Sequence, residues 1–85
     1  ATYSFVFKPK TQPQFSFTAQ YGVSFTQLVE IVDISRITIS VNNVIVFDGT
    51  ILATPIIINS GDIVSIRINK SYLATGMFKL IGNTI

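Results

Sequence analysis

Apolar residues in this chain recur at every second position. Ile37, Ile39 and Val41 alternate with Thr38 and Ser40, and Val64, Ile66 and Ile68 alternate with Ser65 and Arg67. Residues two apart share one face of a strand, so each segment offers one apolar face and one polar face. Ile and Val supply about a quarter of the chain, and both suit a pleated, half-buried surface. No stretch of ten residues follows the spacing of an amphipathic helix. Phe25 to Val32 comes nearest, and its branched residues favour a strand.

Turn chemistry divides the pattern into seven or eight short segments. We expect strands over Tyr3 to Phe7, Phe15 to Thr18, Gln27 to Val32, Arg36 to Val41, Val44 to Phe47 and Thr54 to Ile58. A further strand carries Val64, Ile66 and Ile68, and a last one runs from Thr75 to Ile81 and ends at Gly82. Asn42-Asn43 is a two-residue hairpin signal, because asparagine tolerates the positive φ that such turns need. Asn59-Ser60-Gly61-Asp62 is the strongest turn, Tyr21-Gly22 marks another, and Asp48-Gly49 ends the fifth strand. Short antiparallel strands at this spacing predict a small β-sandwich, with a small barrel as the alternative.

At 85 residues the chain forms one domain, residues 1–85, near the size at which a single core only just suffices. Such domains often lean on disulfides, metals or partners. Cysteine and histidine are both absent, which removes disulfides and the usual zinc sites. Partners remain. Charged residues make up 12% and hydrophobic residues 48%, about half the usual charge for a soluble domain. So much apolar material in so small a body places some of it outside, where another chain covers it. A tightly packed monomer coated with Ser, Thr and Asn is the alternative.

The bases Lys8, Lys10, Arg36, Arg67, Lys70 and Lys79 are scattered, with no run dense enough to neutralise many phosphates, so we expect no nucleic-acid partner. No segment has the length of a membrane-spanning helix, and the start lacks the basic and apolar stretches of a secretory signal. A beginning at Ala1 is what removal of an initiator methionine would leave; we expect an intact cytoplasmic product, later incorporated elsewhere, with a processed or excised fragment as the alternative.

Catalytic chemistry finds little to work with. The carboxylates are Glu30, Asp33, Asp48 and Asp62. The two at turns are explained by local hydrogen bonding, and Glu30 and Asp33 face apart in a strand. Serines and threonines lack a histidine to activate them, Lys70 and Ser71 are adjacent and so face apart, and the glycines form no phosphate loop. We expect no enzyme, no cofactor and no metal. Tyr3, Phe5 and Phe7, and again Phe15 and Phe17, share strand faces. They are either a core stripe or, for residues 1–13, an N-terminal arm. In the second reading Tyr3, Phe5 and Phe7, followed by Lys8, Pro9 and Lys10, add a strand to a neighbouring subunit. Tyr21 and Tyr72 offer a sugar-stacking surface or simple turn packing.

The stretch from Asn59 to Arg67, with Gly61-Asp62 at its turn, resembles a hairpin of immunoglobulin-like modules in phage virion and bacterial surface proteins. Ser71, Tyr72 and Thr75 follow it, and Ile81-Gly82 closes the last strand, as in those modules. Phe15-Ser16-Phe17-Thr18 before Tyr21-Gly22-Val23 is similar to their opening. Lys79 departs from the pattern, two residues before Ile81, and implies either a shifted register or an exposed face. The resemblance implies an immunoglobulin-like sandwich at a virion surface. The expected role is capsid decoration, cementing joints between major capsid subunits, with copies of itself as further partners and a trimer as a natural form. The rival is a receptor- or glycan-binding module of a phage tail, baseplate or bacterial surface.

Overall fold

A computed structural model describes residues 1–7, 14–30, 36–68 and 78–85. Its elements are eight strands: β1 (Thr2–Phe7), β2 (Gln14–Thr18), β3 (Val23–Glu30), β4 (Ile37–Val41), β5 (Val44–Gly49), β6 (Ile56–Ile58), β7 (Ile63–Ile68) and β8 (Phe78–Thr84). Two four-stranded antiparallel sheets pack face to face, one ordered β1-β8-β3-β6 and the other β2-β7-β4-β5. The all-β sandwich expected from the alternation is the observed architecture.

The topology follows from one hairpin. Asn42 and Asn43 take φ of 51° and 68°, which bends the chain in two residues and pairs Val41 with Val44. The two arms then pair along their length, β4 with β5, β3 with β6, β2 with β7 and β1 with β8. Rolled up, β8 meets β3 and β7 meets β4, closing the two sheets. This is the order of a jelly roll. Within the sandwich class it differs from the immunoglobulin order, in which the first two strands pair within one sheet; here β1 and β2 lie in opposite sheets. The reason is physical. Turn residues and alternation act locally and are shared by antiparallel sandwiches of any topology, whereas the pairing of distant strands is a long-range property.

Register brings the buried sets together. Ile37, Ile39 and Val41 stand opposite Ile68, Ile66 and Val64, so the apolar faces of β4 and β7 coincide; a slip of one residue would turn either set outward. Ile37, Ile39, Ile58, Val64, Ile66 and Leu80 are almost wholly enclosed, with Phe25 and Val23 beside them. On β8 Leu80 is buried, and its neighbours Lys79 and Ile81 are half-buried on the opposite, outer face. Lys79 therefore reflects an outward-facing position in a strand paired without a break to β1.

Several boundaries differ from expectation. β3 begins at Val23, four residues before Gln27, because Val23 and Phe25 carry the inward alternation and pair with Ile58 and Ile56. β5 continues through Gly49, and β6 starts at Ile56 rather than Thr54, after Pro55, which has no N–H to give a ladder. β8 passes through Gly82 to Thr84. There the β3 partner carries a bulge at Thr26, between the pairs Phe25–Gly82 and Gln27–Ile81.

The β6–β7 turn is tied down on both sides. Gly61 has a φ of 91°, a backbone that glycine adopts readily. The Asp62 carboxylate accepts hydrogen bonds from Asn59 N at 2.8 Å and from Asn42 Nδ2 at 3.0 Å, while Asn42 Oδ1 accepts from Ile63 N at 2.9 Å. One side chain thus joins its own turn to the β4–β5 hairpin. Asp62→Ala is expected to cost about 1–2 kcal/mol, seen as a lower urea midpoint at unchanged slope; an unchanged midpoint would show the cluster to be incidental.

Candidate functional site

Catalytic groups do not converge among the described residues. Asp62 is committed to its turn, as the sequence suggests. Asp48 is not a turn residue: it lies within β5 opposite Thr38. Its carboxylate accepts hydrogen bonds from Arg36 Nε at 2.8 Å and Thr38 Oγ1 at 3.4 Å, so cross-strand pairing replaces the expected local bonding. Asp48 and Asp62 thus sit at opposite ends of β4. No cluster of three or more His, Cys, Asp or Glu suited to a metal occurs among the described residues.

Two surfaces stand out instead. The first is an aromatic cleft at one end of the sandwich, of about 360 Å³. Its walls include Tyr3 and Phe5 from β1, Phe17 from β2, Phe25 from β3, and Tyr21. The rings of Phe5 and Phe17 stack at 4.5 Å, those of Phe5 and Phe15 at 5.3 Å, and Tyr3 meets Tyr21 edge-on at 5.5 Å. Burial pushes the Tyr3 phenol above its ordinary pKa, and the neighbouring Tyr21 adds to the shift. Of the residues put forward for an interface, Phe5 stacks on Phe15 and Phe17 of the second sheet, and Tyr3 packs against Tyr21 and against Phe25 of its own sheet. Phe7 ends the β1 ladder opposite Phe78. Lys8, Pro9 and Lys10 lie outside the described residues, as do Asp33, Lys70, Ser71 and Tyr72. The strand of the proposed arm, Thr2–Phe7, is integrated into the sheet, and Ala1 O accepts a hydrogen bond from Thr84 N at 2.9 Å.

The second surface is apolar and lies where β5 and β6 form neighbouring edges of the two sheets. A groove of about 470 Å³ runs between them, lined by Val46, Phe47, Ile51, Leu52, Pro55 and Ile57 among others. Of its lining, Val46, Ile51 and Ile57 are 46%, 80% and 53% exposed, and Val44 and Ile45, which precede Val46 on β5, are 63% and 64% exposed. Sequence reasoning about site residues missed this surface. The signal was present: Val44-Ile45-Val46-Phe47 is an unbroken apolar run, and a strand cannot turn four consecutive side chains to one face. A bulge at Val46, between the pairs Ser40–Ile45 and Ile39–Phe47, keeps both Val44, opposite Val41, and Phe47, opposite Ile39, on the inward face and leaves Ile45 and Val46 outside.

Comparison with protein-family models, curated proteins and solved structures finds no match to this chain.

Proposed function

We propose that this chain is a non-enzymatic virion protein that decorates a capsid surface and cements the joints between major capsid subunits. The observation that carries the reading is the apolar groove between β5 and β6, lined by the exposed Val46, Ile51 and Ile57, with Val44 and Ile45 exposed beside it on β5. Free proteins guard edge strands with charges, bulges and prolines; β5 has a bulge at Val46, but the only charge from Asn42 to Pro55 is Asp48, already bound to Arg36. Apolar surface removed from water is stabilising by about 25 cal/mol per Å², and the gain repeats at every copy on a shell. Jelly rolls serve both capsid and lectin domains, so the fold does not choose between them; the groove favours cementing.

The second reading, a glycan- or receptor-binding module, is favoured by the aromatic cleft, where Tyr3 and Tyr21 stand with Thr18 and Gln20. Particles lacking the protein separate the two. Under the cement reading they rupture at lower temperature than decorated particles, and the purified protein restores them. Equal rupture temperatures with lost attachment to host cells would overturn it in favour of the second.

A further inference from the structure

We propose that the aromatic cleft binds one residue of a neutral N-acetylated sugar, its acetamido methyl against the apolar floor and its ring hydroxyls at the polar rim. The site rests on the second reading above and is independent of the cement reading, since the cleft and the β5–β6 groove share no residue. Val23, Phe25 and Ile58 form a buried floor, and Thr18, Gln20 and Tyr21 an exposed rim. The rim is held in place by the neighbouring turn. Ala19 N donates to Asp62 O and Gly61 N to Ala19 O, both at 2.8 Å, and Ser60 Oγ donates to Gln20 O at 3.1 Å. Ile85 N donates to Gly22 O at 3.0 Å. These bonds use the backbone between β2 and β3 and leave its side chains for a ligand. A cleft formed in advance spares the ligand the cost of ordering it.

Charge, size and hydrogen bonding select the ligand class. No residue lining the cleft is charged at neutral pH, so an anion or a cation would be enclosed without a partner. A cavity of about 150 Å³ holds benzene; the 360 Å³ of the cleft suits one substituted six-membered ring rather than a chain of them. Among the described residues the Thr18 hydroxyl, the Gln20 amide and the phenols of Tyr3 and Tyr21 have no hydrogen-bond partner. A wholly apolar ring would shut water away from these groups and leave them unpaired. A plain hexose has the opposite fault, because it turns a hydroxyl onto Val23, Phe25 and Ile58, where no side chain can pair with it. A 2-acetamido sugar meets both demands. Its methyl fits the floor, its amide can pair with the half-buried Tyr3 phenol, and its hydroxyls meet the rim. The C–H face of the ring packs on Tyr21, whose ring is 41% exposed and whose π face is electron-rich.

Tyrosine fluorescence of the full chain, which has no tryptophan to mask it, reads binding as N-acetylglucosamine, N-acetylgalactosamine, glucose and glucosamine are titrated to about 100 mM. At least one of the two acetylated sugars is expected to saturate with a Kd of about 1–10 mM. Glucose and the cationic glucosamine should bind at least about tenfold more weakly. Tyr21→Ala and Gln20→Ala, both at exposed positions, are expected to weaken the acetylated sugar by about tenfold and about threefold. Ser65→Ala, on the outer face of β7, should leave it unchanged. Glucose binding as tightly as the acetylated sugars, and lost in Tyr21→Ala, would overturn the acetamido assignment while the second reading stands. No saturable change with any sugar, or one indifferent to both variants, would overturn the proposal and with it the support that the cleft gives the second reading. Neither cleft variant should alter the rupture temperature of decorated particles, so the cement reading is tested apart.

Discussion

Gly82→Val is expected to abolish the folded state, and Gly82→Ala to cost more than about 3 kcal/mol. A Cβ built on Gly82 would collide with the Ser24 carbonyl oxygen and lie 2.7 Å from the Ser24 carbonyl carbon and 2.8 Å from Phe25 Cα. Those atoms belong to the backbone of β3 where it pairs with β8 and bulges at Thr26. No side chain is there to rotate away, so accommodation means separating the strands at the seam that holds β1 and β8 onto the rest of the first sheet. Gly22 and Gly61 provide the contrast. A Cβ at Gly22 meets nothing closer than 3.6 Å, and one at Gly61 meets nothing within 4 Å. Gly22→Ala should leave stability within about 1 kcal/mol. Gly61→Ala should cost about 1 kcal/mol, for its φ of 91° alone. Urea denaturation of the three alanine variants tests the order; a Gly82→Ala protein as stable as Gly22→Ala would refute the close approach.

Ile66→Ala should destabilise the protein by about 3–5 kcal/mol. Ile66 has no exposed surface. It stands in β7 between Ile39 of β4 and Phe15 of β2, in the middle of the second sheet, so truncation opens a cavity where neighbours on both sides are held by sheet pairing. A chain of this length has about 4–13 kcal/mol to lose, which makes the substitution large enough to unfold a substantial fraction of molecules. Ile51→Ala removes as many carbons from a side chain that is 80% exposed and should change stability by less than about 0.5 kcal/mol. Thermal or urea unfolding at low concentration, where self-association does not contribute, distinguishes them; equal losses at the two positions would mean that Ile51 is enclosed in solution.

Legibility varies with the range of the interaction. The hairpin at Asn42-Asn43 and the turn at Gly61-Asp62 are readable because each is decided within four residues, by positive φ and by an aspartate accepting from its own turn. The buried faces of β4 and β7 are readable because a strand shows its faces by position alone. Less legible is Gly82, which reads as the end of a strand when its role is to let two backbones meet inside one. A missing side chain carries no mark of whether it ends an element or admits a neighbour. Asp48 misleads in a similar way: Asp-Gly is a good turn, and the cross-strand pair with Arg36 and Thr38 exists only after β5 has found β4.

For the candidate site, the sequence leads us to expect more apolar residues than a small interior holds, and it leaves Tyr3, Phe5 and Phe7 as either a core stripe or an interface arm. The structure turns Tyr3 and Phe5 into the sandwich and exposes Val44, Ile45 and Val46. An aromatic strand and an aliphatic strand look alike as patterns; which one lies under the opposite sheet depends on the lateral order of the strands. The alternation of Ile and Val with Ser and Thr determined that this protein is made of half-buried antiparallel strands, since that property belongs to each strand alone. Only the tertiary structure decided that the strands roll up as a jelly roll and leave β5 at an edge, because pairing between strands forty or eighty residues apart is chosen by the packing of all of them at once.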